Sequence, residues 1–399
     1  MRKVSAKNIQ WLEKELPILE TESVLAPEAI QNIRSYYADR TSSGLHWAVI
    51  AFAIFGSLLI GAGIILLFAH NWDELTRPAR AVISFLPVLI GATLSVTALV
   101  NNGGTALRES AGIFQSLAVG ASIALIGQTY HLPSNTPDFL LSWALLILPL
   151  QFLLSSTGSF VIYLGLICGW SGSAQYEYGQ AIGFWLLLLP PIGKLWAMLK
   201  IKRHEPDTLV SFFGVMLTLL ISTGVVFERT LPGLWIVAYS ALLSSVALLG
   251  IRLYGNQEGW SNPPKLIGLI GIGILAYLFT WSDLWHDIGW NNARNGWHYK
   301  AWGNTFDIGF TVLFIGGWLM AAIKAFRRNN FETITLAVFP IFGIVCFFVG
   351  SLGGNETNTL TAIFFNIFML FYGIMYIVIG CRNTKLRQLN GGMAVLALL

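Results

Sequence analysis

The sequence is poor in charge: Asp, Glu, Lys and Arg make up 11% of its 399 residues. A soluble globular domain carries roughly 25%, because most of its surface must face water. So large a deficit excludes a water-facing surface over most of the chain. Cysteine is scarce too. Cys168, Cys346 and Cys381 stand far apart, two of them within apolar runs, so neither a disulfide framework nor a metal-ligand spacing follows. Walker-type loops, kinase signatures, nucleophile elbows and zincin helices are missing. A net charge of +4 is too small to argue for nucleic acid. The first apolar run starts near Trp47, far behind the N-terminus and long enough to span, so no cleavable signal peptide is expected.

What is abundant fits lipid. Apolar residues reach 55%, and the 40 glycines let helices approach closely where lipid supplies no hydrophobic driving force. A transmembrane helix needs about 20 mostly apolar residues. That ruler places spans near 47–69, 79–100, 111–127, 138–154, 158–170, 181–199, 208–227, 231–250, 265–281, 307–325, 332–350 and 359–380. The fifth is short. A further run begins near Gly391 and stops at Leu399, which reads as a truncated chain or a shallow last helix.

Loop charge checks this count independently of hydropathy. With the N-terminus in the cytoplasm and sides alternating, all but five of the 24 Lys and Arg fall inside; the five are Arg77, Arg80, Arg229, Arg294 and Lys300. Ahead of the membrane lies a polar segment. Ser5 can cap a helix carrying Ile9, Trp11, Leu12 and Leu16, which Pro17 is expected to end. Pro27 and Glu28 open a second helix with Ile30, Ile33, Tyr36 and Tyr37 along one face. The expected fold is therefore all-α: a cytoplasmic helical hairpin over 1–44, then a polytopic bundle over 45–399 of about twelve or thirteen transmembrane helices. The hairpin packs on the membrane domain or lipid surface, or binds a cytoplasmic protein partner.

Two motifs carry a family resemblance. The first span ends in Phe68-Ala69-His70-Asn71-Trp72-Asp73. Later comes Gly127-Gln128-Thr129-Tyr130-His131-Leu132-Pro133, running on to Asp138 and Leu141-Ser142-Trp143-Ala144-Leu145. With the N-terminal hairpin, these make about the first 150 residues resemble the bacterial membrane proteins of domain of unknown function 2157 (DUF2157). The first motif departs from the family in reading His70-Asn71-Trp72 where the family has a shorter Ala-Asn-Trp. The resemblance implies a multi-pass protein of the bacterial inner membrane and brings no mechanism.

Candidate sites follow from chemistry. His70, Asp73 and Glu74 fall on the same expected outer side as His131 and Asp138. Together they can do acid–base work or bind a metal if they converge. The plainer reading makes them interfacial anchors and helix caps. No His-x-x-x-His or Cys-x-x-Cys spacing supports a metal, and no cofactor is expected. The outer loop from Trp281 to Asn304 is dense in aromatics: Trp285, His286, Trp290, Trp297, His298 and Trp302 are its candidate ligand contacts, for a sugar or lipid headgroup. The same composition describes a lid lying on the bilayer.

Inside the spans there is almost no Asp, Glu, Lys, Arg or His, where ion-coupled transporters place such groups. Gln115, Gln151, Tyr163, Tyr239, Ser240, Ser244, Ser245 and Asn366 are expected to bridge helices. Pro87, Pro149, Pro190, Pro191 and Pro340 can kink or break them. These features point first to a non-enzymatic membrane protein handling a neutral or amphiphilic ligand, a lipid or small neutral molecule, in transport or envelope maintenance. The alternatives are an outer-leaflet enzyme built on the two histidine loops, and a scaffold or sensor acting through the hairpin.

Overall fold

A computed structural model of the chain describes residues 6–22, 24–38, 74–101, 103–132, 135–227, 234–255, 257, 259–286, 303–328, 331–349, 355–382 and 384–399. The chain divides into two compact units, Met1–Thr76 and Arg77–Leu399. Among the described residues of the first are α1 (Ala6–Thr21) and α2 (Pro27–Ala38), which pack on each other. Leu16 and Ile30 are buried, and Arg34 lies 3.9 Å from Glu13. Pro17 does not end α1 but sits inside it. The helix continues through the lost N–H because one missing bond is a local defect that its neighbours absorb. Trp11, expected on the apolar face, is 61% exposed.

Every regular element among the described residues of the second unit is a helix. It begins with α3 (Arg77–Val100), α4 (Thr105–Tyr130) and α5 (Thr136–Ile147), whose one-turn continuation is α6 (Leu150–Leu153). Next come α7 (Thr157–Tyr178), α8 (Gly183–Ile201), α9 (Pro206–Phe227) and α10 (Leu234–Tyr254). A 3-10 turn, Gly259–Ser261, leads into α11 (Pro263–Phe279) and the short α12 (Ser282–His286). The chain closes with α13 (Gly303–Arg328), α14 (Phe331–Val349), α15 (Asn355–Arg382) and α16 (Leu386–Ala397).

Nine helices among the described residues are long and apolar enough to cross a bilayer, counting α5 and α6 as one, which is the architecture of a polytopic helical membrane protein. The expected span 47–69 lies outside the described residues. The expected short fifth span is a helix of 22 residues, α7, whose Ser, Gly and Tyr content leaves it less apolar than the nine. α11 is apolar but only 17 residues long. The run expected after Gly391 belongs to α16. At 12 residues and about 1.5 Å each it is far too short to span, and it folds back along α15 instead.

The outward faces are what water would not tolerate: Leu89, Leu186, Leu217, Leu313 and Ile367 are each about 60–70% exposed. Inside, four of the eight polar residues expected to bridge helices do so, whereas the Gln151 amide, the Gln115 carbonyl oxygen and the Ser240 hydroxyl find no hydrogen-bond partner among the described residues. Tyr163 donates to the Leu187 carbonyl at 2.8 Å, Tyr239 to that of Leu220, and Ser244 to that of Leu336. Asn366 reaches the Thr280 carbonyl at 3.4 Å, and Ser171 bonds Ser222 at 2.9 Å. Ser245 instead bonds back to Ala241 of its own helix. Pro149 separates α5 from α6, whereas Pro87, Pro190, Pro191 and Pro340 lie within continuous helices.

Inter-helix contacts sort the helix ends into two sets. Arg203, after α8, donates to the Leu253 carbonyl at the end of α10, and Tyr254 donates back to Arg203. Lys265 at the start of α11 meets Glu332 at the start of α14. These ends, with Lys202, Arg252, Lys385 and Arg387, form a basic end of the bundle. At the opposite end, the start of α5 meets the end of α7 through Asn135, Asp138 and Tyr178. α10 and α11 cross closely: a Cβ at Gly268 would lie 2.6 Å from the Ala247 Cβ and 2.7 Å from its backbone nitrogen.

Candidate functional site

Of the two histidine loops, His70 and Asp73 lie outside the described residues. Glu74 is exposed in the first unit, just before its boundary. His131 is exposed and ends α4 with a left-handed backbone, φ 51° and ψ 41°, its N–H turned onto the Gln128 carbonyl. Asp138 sits in the first turn of α5, where Asn135 caps its backbone N–H at 2.9 Å. Its carboxylate accepts a hydrogen bond from Tyr178 at 3.1 Å, and Asn135 donates to that phenol at 2.7 Å. A carboxylate at a helix N-terminus is stabilised by the helix dipole, so Asp138 serves α5 and pins α7 to it. Among the described residues no group of three His, Cys, Asp or Glu is placed to hold a metal.

The Trp-rich segment is described only to His286, which ends α12; Trp290, Trp297, His298 and Trp302 lie outside the described residues. Trp285 is 1% exposed. Its indole donates to the Phe279 carbonyl at 2.9 Å and its ring stacks on Phe365 with centroids 5.8 Å apart. It is a core wedge between α12 and α15 that satisfies its polar atom internally.

Two charged constellations are harder to see in sequence. At the start of α7, Glu109 of α4 accepts the backbone N–H of Thr157 at 2.7 Å and of Gly158 at 2.9 Å, with the Ser156 hydroxyl at 2.7 Å. Lys194, inside α8, donates to the carbonyls of Gln151 and Ser156 at 2.8 and 3.2 Å and covers the Phe160 ring. Both charges end on backbone atoms freed where α6 stops and α7 begins, so they close that break in the chain.

The second is the Lys265–Glu332 ion pair, 2.8 Å long, its side chains 11% and 13% exposed. Tyr376 of α15 donates to the same Glu332 carboxylate at 3.2 Å. Tyr376 packs edge-on against Tyr372, which stacks on Phe368, so an aromatic ladder runs from the ion pair up α15. A buried pair pays a large desolvation penalty and persists where further hydrogen bonds complete it, as here.

This ladder is the floor of a groove of about 480 Å³ between α11, α15 and α16. α11 forms one wall with Leu266, Leu269, Ile270, Gly273, Ile274 and Tyr277; Ala394, Val395 and Leu398 of α16 form the other. Lys265, Arg387 and Gln388 stand at the basic end. The Arg387 guanidinium lies over the backbone of Gly259, a residue at φ +62° where a side chain would meet it. Ile270, Ile274 and Leu398 are each more than half exposed, so the groove opens sideways onto the apolar surface. α16 holds its place by backbone contact: a Cβ on Gly392 would come within 2.6 Å of the Gly373 carbonyl oxygen and 2.7 Å of the Ile377 nitrogen.

The volume lies within the range of small-molecule sites, about 300–1,000 Å³. Chemically the groove offers an apolar slot for a chain and, at one end, donors from Arg387 with the Lys265–Glu332–Tyr376 cluster behind. Among its described lining residues no nucleophile is poised beside a base. Sequence reasoning missed it because its walls come from α11, α15 and α16, none carrying a motif; the sole signal was Lys265 opening an apolar run.

No curated protein and no solved structure gives a significant match to this chain. Residues 18–160 match the family model described as predicted membrane protein (DUF2157), so over the segment that holds both loop motifs, and short of the groove, the chain is similar to that family.

Proposed function

We propose that the chain is a non-enzymatic, multi-pass inner-membrane protein that binds an amphiphile in the groove between α11, α15 and α16. The observation that carries this reading is the lateral opening: Ile270 and Ile274 are exposed on one lip while Met369, Tyr372 and Tyr376 are buried beneath. A water-borne ligand would need an aqueous mouth, whereas a lipid-borne one enters from the side. An acyl chain lies along Leu269, Gly273 and Tyr277, and its head accepts hydrogen bonds from Arg387. The twelve-span alternation with the N-terminus and the basic end in the cytoplasm completes the reading, since it places this head at the inner leaflet.

The test is photolabelling in liposomes with a phospholipid carrying a diazirine on its acyl chain. Label is expected to concentrate on peptides containing Leu269–Tyr277 and Ala394–Leu398. Gly273→Trp should abolish that enrichment, because a side chain there meets nothing within 4 Å and projects into open space. Even labelling of all lipid-facing helices, unchanged by Gly273→Trp, would contradict the proposal.

A further inference from the structure

A second cleft, of about 520 Å³, lies between α10, α13 and α14. Its walls are apolar, formed by Leu248, Leu249, Met320 and Ala321. Met320 is 64% exposed and Leu249 37%, so this cleft too opens onto the lipid-facing surface. Its charge distinguishes it. Arg252, at the end of α10, and Lys324, in the last turns of α13, both line it, and no carboxylate does. Both cations are exposed, and among the described residues neither lies within 4 Å of an Asp or Glu oxygen. The nearest carboxylate in sequence to this lining, Glu332 beside Thr333, is engaged by Lys265 on the other side. In the first groove, by contrast, one of the two lining cations is neutralised within the fold.

Cations near helix C-termini are common, and the positive-inside rule accounts for single ones. Neither explains why two cations from different helices converge on one apolar slot with no carboxylate among its described lining residues. An anionic head between Arg252 and Lys324, with a chain along Leu248 and Met320, satisfies both halves of the cleft. We infer that the α10/α13/α14 cleft is a binding site for an anionic phospholipid of the leaflet at the basic end, separate from the amphiphile groove. A zwitterionic lipid of the same chain length gives up the net attraction, so the site selects by head charge.

The experiment is native mass spectrometry of the full chain in detergent, titrated with dioleoyl phosphatidylglycerol or dioleoyl phosphatidylcholine. The wild type should prefer phosphatidylglycerol. Arg252→Gln or Lys324→Gln should each weaken that preference about fivefold, and the double variant about 30-fold. The charge-keeping pair Arg252→Lys with Lys324→Arg should retain most of it, which separates lost charge from lost folding. Arg327→Gln, which removes a neighbouring cation that does not line the cleft, should change it less than twofold. Gly273→Trp should leave it intact, so failure of the first groove and of this site are distinguishable. Equal binding of the two lipids, or an Arg327→Gln effect as large as that of Arg252→Gln, would overturn the inference.

Discussion

At the residue scale, the molecule puts its few interior charges where they complete one another. Lys265 and Glu332 come from helix starts far apart in sequence, and Tyr376 adds a donor from a third helix. Removing one partner strands the other in a poorly solvated place. Lys265→Met should therefore lower stability by about 3–5 kcal/mol, whereas Lys265→Met with Glu332→Leu should recover most of the loss. Thermal unfolding of both variants in detergent checks this; a single variant as stable as the wild type would show that the pair is solvated. None of this was legible in sequence, because residue composition marks an ionisable group near a span end but not its partner. Lys194 illustrates the same limit: counted among cytoplasmic residues by loop charge, it lies within α8 and serves the α6–α7 break. The helix-bridging roles of Tyr163, Tyr239, Ser244 and Asn366 were legible, since a polar atom in an apolar run must find a partner among neighbouring helices.

At the scale of elements, helices were readable wherever an apolar run exceeded the bilayer ruler. They were misjudged where composition and length disagree. α7 reads as a short span because Ser and Gly interrupt its hydropathy, yet it is a helix of 22 residues that packs against α5 and α9, with Ser171 bonded to Ser222 of α9. α16 reads as the start of a thirteenth span, and nothing in its sequence says that Gly392 meets Gly373. That contact makes α16 a wall of the groove. Gly392→Leu should push α16 off α15, at about 1–3 kcal/mol for the overpacking. Photolabelling at Ala394–Leu398 should fall along with the unfolding midpoint. An unchanged midpoint and unchanged labelling would mean that α16 is not held there.

At the scale of the whole molecule, the proposed orientation, drawn from loop charge, puts the basic end in the cytoplasm. The protein carries a reporter for it. Cys381 is exposed near the end of α15, whereas Cys346 is buried. In a Cys168→Ser background, a membrane-impermeant maleimide should label Cys381 in inverted inner-membrane vesicles and leave it unlabelled in intact spheroplasts; the reverse pattern would invert the topology. The histidine loops and the Trp-rich segment drew the eye in sequence because they hold the rare polar and aromatic residues. Of these, Asp138 and Trp285 are engaged in holding helices together. The lateral groove could not be read ahead of the fold, since only tertiary packing brings α11, α15 and α16 to one place.

The central claim is that this groove holds an amphiphile. The most direct measurement is native mass spectrometry of the full chain extracted from membranes in a mild detergent, comparing wild type with Gly273→Trp and Gly391→Phe; Gly273 of α11 and Gly391 of α16 both line the groove with open space before them, so the two substitutions fill it from opposite walls. The wild type should retain one amphiphile more than either variant, the second cleft staying occupied in all three, with folding unchanged by circular dichroism. Equal retention in all three proteins would contradict the account.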